Sequence, residues 1–131
     1  MAKGPPALFR VVAATAIAGA LTACSSQAED ISGAWSAIEV AGKPVRGPSL
    51  TLEDGRLSGT GGCNRISGPA IMTDADVKIG PLISTRMFCE GKMETEQAFI
   101  AALESAKSFD LVEGTMRLKD VAGAPVAIFT R

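Results

Sequence analysis

The sequence predicts a mainly β domain with one helix: a curled antiparallel sheet or partly open β-barrel packed on a single amphipathic helix. Three observations predict it. Residues 49–59, SLTLEDGRLSG, form a hairpin signal centred on Asp54-Gly55. One stretch, residues 94–107, has helical periodicity. The last 25 residues return to alternating apolar and polar positions broken by glycine-containing turns.

Residues 34–40, AWSAIEV, read as a first strand and hold Trp35, the chain's one indole. Gly42-Lys43-Pro44 and Gly47-Pro48 then turn the chain. In the hairpin, Asp-Gly supplies the positive φ angles that a two-residue turn requires. That register pairs Glu53 with Arg56 on one face and Leu52 with Leu57 on the other, so turn and pattern agree. Gly59-Thr60-Gly61-Gly62 lets the strand bend or another backbone come close. Ile66 and Ile71 flank an expected turn at Ser67-Gly68-Pro69, and Val77, Ile79, Leu82 and Ile83 predict a short strand pair about Gly80-Pro81. In the helix, Phe99, Ile100, Leu103 and Ala106 share one face, with Glu96, Gln97, Glu104 and Lys107 placed largely elsewhere. Phe109 and Leu111, Met116 and Leu118, and residues 126–129 mark three closing strands. Sequential hairpins make such a sheet mainly antiparallel, and one helix against it buries both patterns.

Ahead of this domain lies an export signal, residues 1–23. Lys3 and Arg10 precede the apolar run VVAATAIAGAL at residues 11–21. At 1.5 Å per helical residue that run spans roughly 16 Å, about half of the ~30 Å hydrocarbon layer, which argues against a permanent transmembrane helix. Leu21-Thr22-Ala23-Cys24 resembles a lipobox, in which the cysteine thiol takes a diacylglyceryl group and becomes the first mature residue. An ordinary signal peptide with a chance cysteine is the alternative. Two acyl chains at about 0.8 kcal/mol per buried CH₂ make a stable anchor. Polar residues 24–30 read as a lipidated tether, and residues 31–131 as the domain. Ser25 after the cysteine points to the outer membrane, facing the periplasm, if the cell is Gram-negative.

Composition narrows the chemistry. Past residue 23 the chain keeps 11 basic and 14 acidic residues, a net charge of −3. No basic surface for nucleic acid is expected. Histidine is absent, which removes the commonest general base and every Ser-His or Cys-His nucleophile pair. With Cys24 lipidated, Cys63 and Cys89 remain as an even pair in an oxidising compartment, read as a disulfide or else as two buried thiols.

Four blocks then resemble the META domain (HslJ-like) family. They are residues 58–68, SGTGGCNRISG; residues 79–89, IGPLISTRMFC; Met93-Glu94 with Glu96 leading into Phe99 and Leu103; and Leu118 and Asp120 with the closing Phe129. Trp35 stands where the family opens with tryptophan, and Pro69-Ala70 where members often carry an aromatic. The resemblance runs from about Ile31 to the end. It implies a small β-rich domain of envelope lipoproteins, linked with heat shock and envelope stress, similar in fold to secretion pilots and without an established catalytic site. Gly62, Asn64, Gly68, Thr85, Arg86, Glu94 and Glu96 are the motif residues it marks, read as structural.

The individual residues allow sharper readings. Gly59-x-Gly61-Gly62 could cradle a phosphate, but it does not open a helix and carries no lysine. Asn64 is expected in a left-handed turn, bonding to neighbouring backbone. Met87, Cys89 and Met93 are soft donors that would suit Cu(I), although methionine is also ordinary core filler. Arg86 is expected to pair with Glu94 or Glu96 and tie its loop to the helix start. Ser58, Ser67 and Ser84 lack a histidine to activate them. The expected protein is therefore a monomeric, non-catalytic domain with no cofactor and no metal. It meets the membrane through Cys24 and some envelope protein through its surface. Carriage of a small apolar ligand or lipid, and a pilot or chaperone role in secretion, are the alternatives.

Overall fold

A computed structural model of the chain describes residues 30–131, together with Gly4 and Gly19. Apart from those two glycines, the expected export signal, Cys24 and the expected tether before Asp30 lie outside the described residues.

In chain order the elements are β1 (Gly33–Val40), β2 (Lys43–Pro44), β3 (Ser49–Glu53), β4 (Arg56–Thr60), β5 (Arg65–Thr73), β6 (Asp76–Ile79), β7 (Ile83–Ser84), α1 (Met93–Ser105), β8 (Ser108–Val112), β9 (Thr115–Lys119) and β10 (Pro125–Thr130). Antiparallel pairing passes from β1 through β3, β4, β5, β6, β8, β9 and β10, and β10 pairs again with β1. The short β2 and β7 add to β1 and β5. The weakest link is β6–β8, joined by the single bridge pair Asp76–Ser108 and flanking backbone hydrogen bonds, Val77 N–H to Lys107 O and Phe109 N–H to Ala75 O, each 2.9 Å. The sheet is thus curled on itself without forming a regular barrel, which is the predicted fold class.

Local chemistry explains the hairpin. Asp54 and Gly55 take φ of 50° and 74°, the paired positive values of a type I′ turn. Glu53 faces Arg56 and Leu52 faces Leu57, with both leucines buried and both charges exposed. The Glu113-Gly114 turn between β8 and β9 repeats the device, with φ of 51° and 77°.

The middle of the chain departs from expectation. Residues 67–69 are not a turn but the centre of β5, paired with β4 along one edge and with β6 and β7 along the other. Sheet pairing overrides the local turn preference of Ser-Gly-Pro. Gly68 serves close approach instead: a Cβ there would sit 2.7 Å from the Pro81 carbonyl oxygen. Likewise β6 and β7 do not pair with each other, and each pairs with β5.

Trp35, Leu57, Phe99, Leu103, Met116, Leu118 and Phe129 fill the interior, all essentially removed from solvent. Phe99 of α1 meets Phe129 of β10 with ring centroids 6.0 Å apart, inclined at 57°, which locks helix to sheet. The buried face of α1 carries Glu96, Phe99, Ala102 and Leu103. Glu96 was expected among the polar positions, but it precedes Phe99 and Leu103 by three and seven residues and so shares their face.

The two ends of the described chain meet at Trp35. Its indole N–H donates to Ile31 O at 2.8 Å, while the Arg131 guanidinium lies 4.3 Å over the ring and donates to Asp30 O at 2.7 Å. Such a cation–π contact contributes about 0.5–1 kcal/mol at an exposed site.

Candidate functional site

The motif residues converge at one pole, where the loop between β4 and β5 meets the start of α1 and the segment after β7. Asn64 and Glu96 are its centre, each 3% exposed. One Glu96 carboxylate oxygen accepts the backbone N–H of Asn64 and, at 3.3 Å, that of Cys63. The other accepts the Asn64 side-chain amide at 2.6 Å. The remaining Asn64 amide hydrogen goes to Met87 O at 3.1 Å. Asn64 Oδ1 accepts from the Thr85 hydroxyl at 2.9 Å and from Met87 N–H at 2.6 Å. The carboxamide therefore has all four of its possible bonds filled, which fixes its orientation. Thr85 extends the net: its Oγ1 accepts Arg65 N–H at 3.1 Å, and its own N–H donates to Arg65 O at 3.0 Å.

This arrangement explains why the loop is built from glycine. A Cβ on Gly61 would lie 2.4 Å from Glu96 Cγ, so only glycine lets the carboxylate reach the backbone behind it. A negative group also gains from the N-terminal end of the helix dipole, about 0.3–1 kcal/mol. Cys63 and Cys89 are joined by a disulfide, with Cα atoms 5.8 Å apart. It brackets the same segment, so residues 85–88 are held by Asn64 on one side and by a covalent bond on the other.

Several expectations about these residues change. Asn64 is not in the left-handed region and does not serve its neighbours; it reaches residues 85, 87 and 96. Arg86 pairs with neither glutamate: Glu96 is turned inward onto Asn64, and Arg86 and Glu94 both stand in solvent. Two carboxylate oxygens already holding three N–H groups in a closed interior leave no place for a guanidinium. Cys89, being oxidised, brings no thiolate to the soft-donor set, and its backbone N–H points to Met93 Sδ at 3.5 Å. Gly62 has φ of 108° and donates its N–H to Thr60 Oγ1 at 3.1 Å.

Two features of the surface were missed in the sequence. The first is an apolar knob on the fixed segment: Met87 is 56% exposed and Phe88 81%, and Ile83 of β7, just before the segment, is 70% exposed. Arg65, Arg86 and Lys92 stand exposed around it. Apolar residues beside a cysteine and an arginine offered no periodic signal, so nothing in the sequence marked them as exposed. The second is an open cleft of about 480 Å³ at the other pole, where the chain enters β1 and the β3–β4 and β5–β6 turns lie. Ser32 N–H donates to Asp30 Oδ1 at 2.9 Å there, and this bond holds the Asp30 carboxyl below its ordinary pKa. On the β8–β9 hairpin, Arg117 grips Asp110 with two bonds of 2.7 Å and Lys119 approaches to 3.3 Å, with the result that Asp110 also titrates below its ordinary value. Among the described residues every buried side-chain nitrogen and oxygen has a hydrogen-bond partner.

Comparison with known proteins bears on the family and the fold. The META domain family model matches residues 20–131. A crystal structure of a DUF4847 family protein from Bacteroides vulgatus is similar at 16% identity, with 76% of this chain and 92% of that chain covered and a TM-score of 0.60. An NMR structure of a protein from Burkholderia xenovorans is similar at 25% identity, with 76% and 81% covered and a TM-score of 0.59. A further NMR structure matches at 22% identity, with 75% and 87% covered and a TM-score of 0.60. No curated protein matches the chain. The fold is thus shared with these structures, and by the family match over residues 20–131 the chain belongs to the META domain family.

Proposed function

We propose that this protein is a non-catalytic envelope lipoprotein, anchored through a lipid on Cys24, which supports envelope integrity or stress tolerance through protein contacts. One observation carries the reading. The polar side chains of the motif, Asn64, Thr85 and Glu96, are engaged with one another and with backbone, while the apolar Met87 and Phe88 of the same segment stand in solvent. That division suits a scaffold that presents a contact surface, since an exposed apolar patch on a rigid support is a feature of interaction sites. The lipobox sequence at residues 21–24 supports the anchor. Carriage of an apolar ligand between sheet and helix would require Trp35, Phe99 and Phe129, which fill that space, to make way.

The test is complementation of a strain lacking the gene, grown under heat or envelope stress, with a clickable palmitate analogue in the medium. The full chain is expected to take the label and restore growth, and Cys24→Ala to do neither. Unlabelled full chain would refute the anchor. A hydrolytic or transfer activity of the purified protein, abolished by one substitution, would refute the non-catalytic role.

A further inference from the structure

The two poles of the domain are complementary to each other. The knob pole has Ile83, Met87 and Phe88 in solvent and carries exposed Arg65, Arg86 and Lys92, with Glu90 and Glu94 as the acidic residues among them. The cleft pole has the reverse rim. Its floor is apolar, made by the buried Ile31, Leu52 and Phe109, with the exposed Ile71 beside them. Asp30, Glu53, Asp54 and Asp74 line its edge together with Arg56, and Arg131 bonds the Asp30 carbonyl beside it, so acids outnumber cations there.

The fold sets these surfaces apart. β5 starts at Arg65, whose backbone pairs with Thr60 beside the knob, and ends at Thr73, opposite Asp76 beside the cleft. Eight steps along a strand at about 3.3 Å each separate the poles by roughly 26 Å. A knob therefore cannot fill the cleft of its own chain. Nor do two knobs suit one another, because cations outnumber acids around each, and like charges across an interface disfavour docking.

We propose that the knob of one copy docks in the cleft of a second copy, with Phe88 as the anchor and Arg86 facing the acidic rim. The contact is heterologous: each copy offers a knob at one end and a cleft at the other, so copies add head to tail into rows. This departs from the monomer expected of the sequence. It goes beyond the envelope role proposed above and needs neither the lipid nor any other protein. The knob is small, which places the contact among weak, salt-sensitive ones that form readily only at high local concentration. Its rigidity favours docking all the same, since the disulfide and Asn64 hold residues 85–88 before any partner arrives.

The experiment is photo-crosslinking of the full chain in its own host, with benzoylphenylalanine at position 88. The side chain there is 81% exposed, so the replacement leaves the fold intact. The same analogue at position 121, where Val121 is 89% exposed and outside both surfaces, is the control. The expected result is an adduct of twice the chain's mass from position 88 and not from 121. Tryptic digestion should place the second copy's crosslink in peptide 47–56 or peptide 66–78, which hold the cleft residues Leu52, Glu53, Ile71 and Asp74. Arg86→Glu should lower the yield about fivefold, as expected of juxtaposed like charges, and adding Glu53→Lys should recover it. The proposal is overturned if position 88 yields no adduct of doubled mass, if it reacts solely with another protein or with lipid, or if the crosslink maps to the peptide bearing residue 88 itself.

Discussion

Glu96 holds Asn64 twice, by its backbone N–H on one carboxylate oxygen and by its side-chain amide on the other. Through this pair the first turn of the helix fixes a loop 32 residues earlier in the chain. Asn64 in turn fixes Met87, so three segments that are distant in sequence share one hydrogen-bonded centre.

Glu96→Ala should leave the N–H groups of Cys63 and Asn64 and one Asn64 amide hydrogen without acceptors in a closed interior. Unsatisfied buried donors cost about 1–3 kcal/mol each, and with partial relaxation a total loss of about 3 kcal/mol is expected. Urea denaturation followed by Trp35 fluorescence checks this, and a shift of Cm without a change of m would place the effect in the folded state.

Gly61→Ala should destabilise by about 2 kcal/mol, the usual scale of overpacking, because the new methyl displaces Glu96 Cγ. The same substitution in a Glu96→Ala chain should cost much less, since the two nearest obstacles, Glu96 Cγ and Oε1, are then gone and only its Cβ at 3.1 Å remains. Equal losses in both backgrounds, read from the same denaturation curves, would place the effect of residue 61 elsewhere.

Removing the disulfide with Cys63→Ala and Cys89→Ala should lower stability by about 3.5 kcal/mol on the loop-entropy scale, for a sequence separation of 26. The surface effect should be local. Hydrogen exchange of the amides of residues 85–88 should accelerate, while that of residues 52–57 at the turn end of the β3–β4 hairpin, at the other pole, should not. Uniform acceleration would point to loss of the whole fold.

Asp110 gives a pH dependence with a definite sign. Its folded pKa lies below the ordinary 3.8, first because Arg117 donates to it. A depressed carboxyl contributes stability that is present above the ordinary value and is lost as pH falls through the folded one. The pair is partly exposed, which limits the contribution to about 0.2–1 kcal/mol. Asp110→Asn should therefore be less stable than the natural chain at neutral pH, with the gap closing below pH 3.8. Thermal unfolding of both chains across that range measures it, and a gap that widens in acid would reverse the assignment.

The parts of this structure that could be read in the sequence were those settled by neighbours. The β3–β4 hairpin needs only Asp54-Gly55 and two flanking pairs, and its register followed from them. The helix and the closing strands likewise have their periods written locally. β5 was misread because Ser67-Gly68-Pro69 favours a turn by itself, and only the strands on both sides of it decide otherwise. Glu96 carried a usable signal, its spacing from Phe99 and Leu103, but a carboxylate on an apolar face is read as such only when its donors are known. Those donors come from residues 63 and 64, which no periodicity connects to the helix. The cleft gathers residues from segments distant in sequence, and the knob is set by Asn64 and the disulfide, so neither has a local pattern.

The central claim is that Asn64 and Glu96 act as one unit that holds the motif together. A double-mutant cycle tests it most directly, using the unfolding free energies of the natural chain, Asn64→Ala, Glu96→Ala and the double variant. Each single change should cost about 3 kcal/mol, and the double little more than either, giving a coupling of about 1.5–3 kcal/mol, the range seen for residues in one network. Additive losses, with a coupling within about 0.5 kcal/mol of zero, would contradict the account.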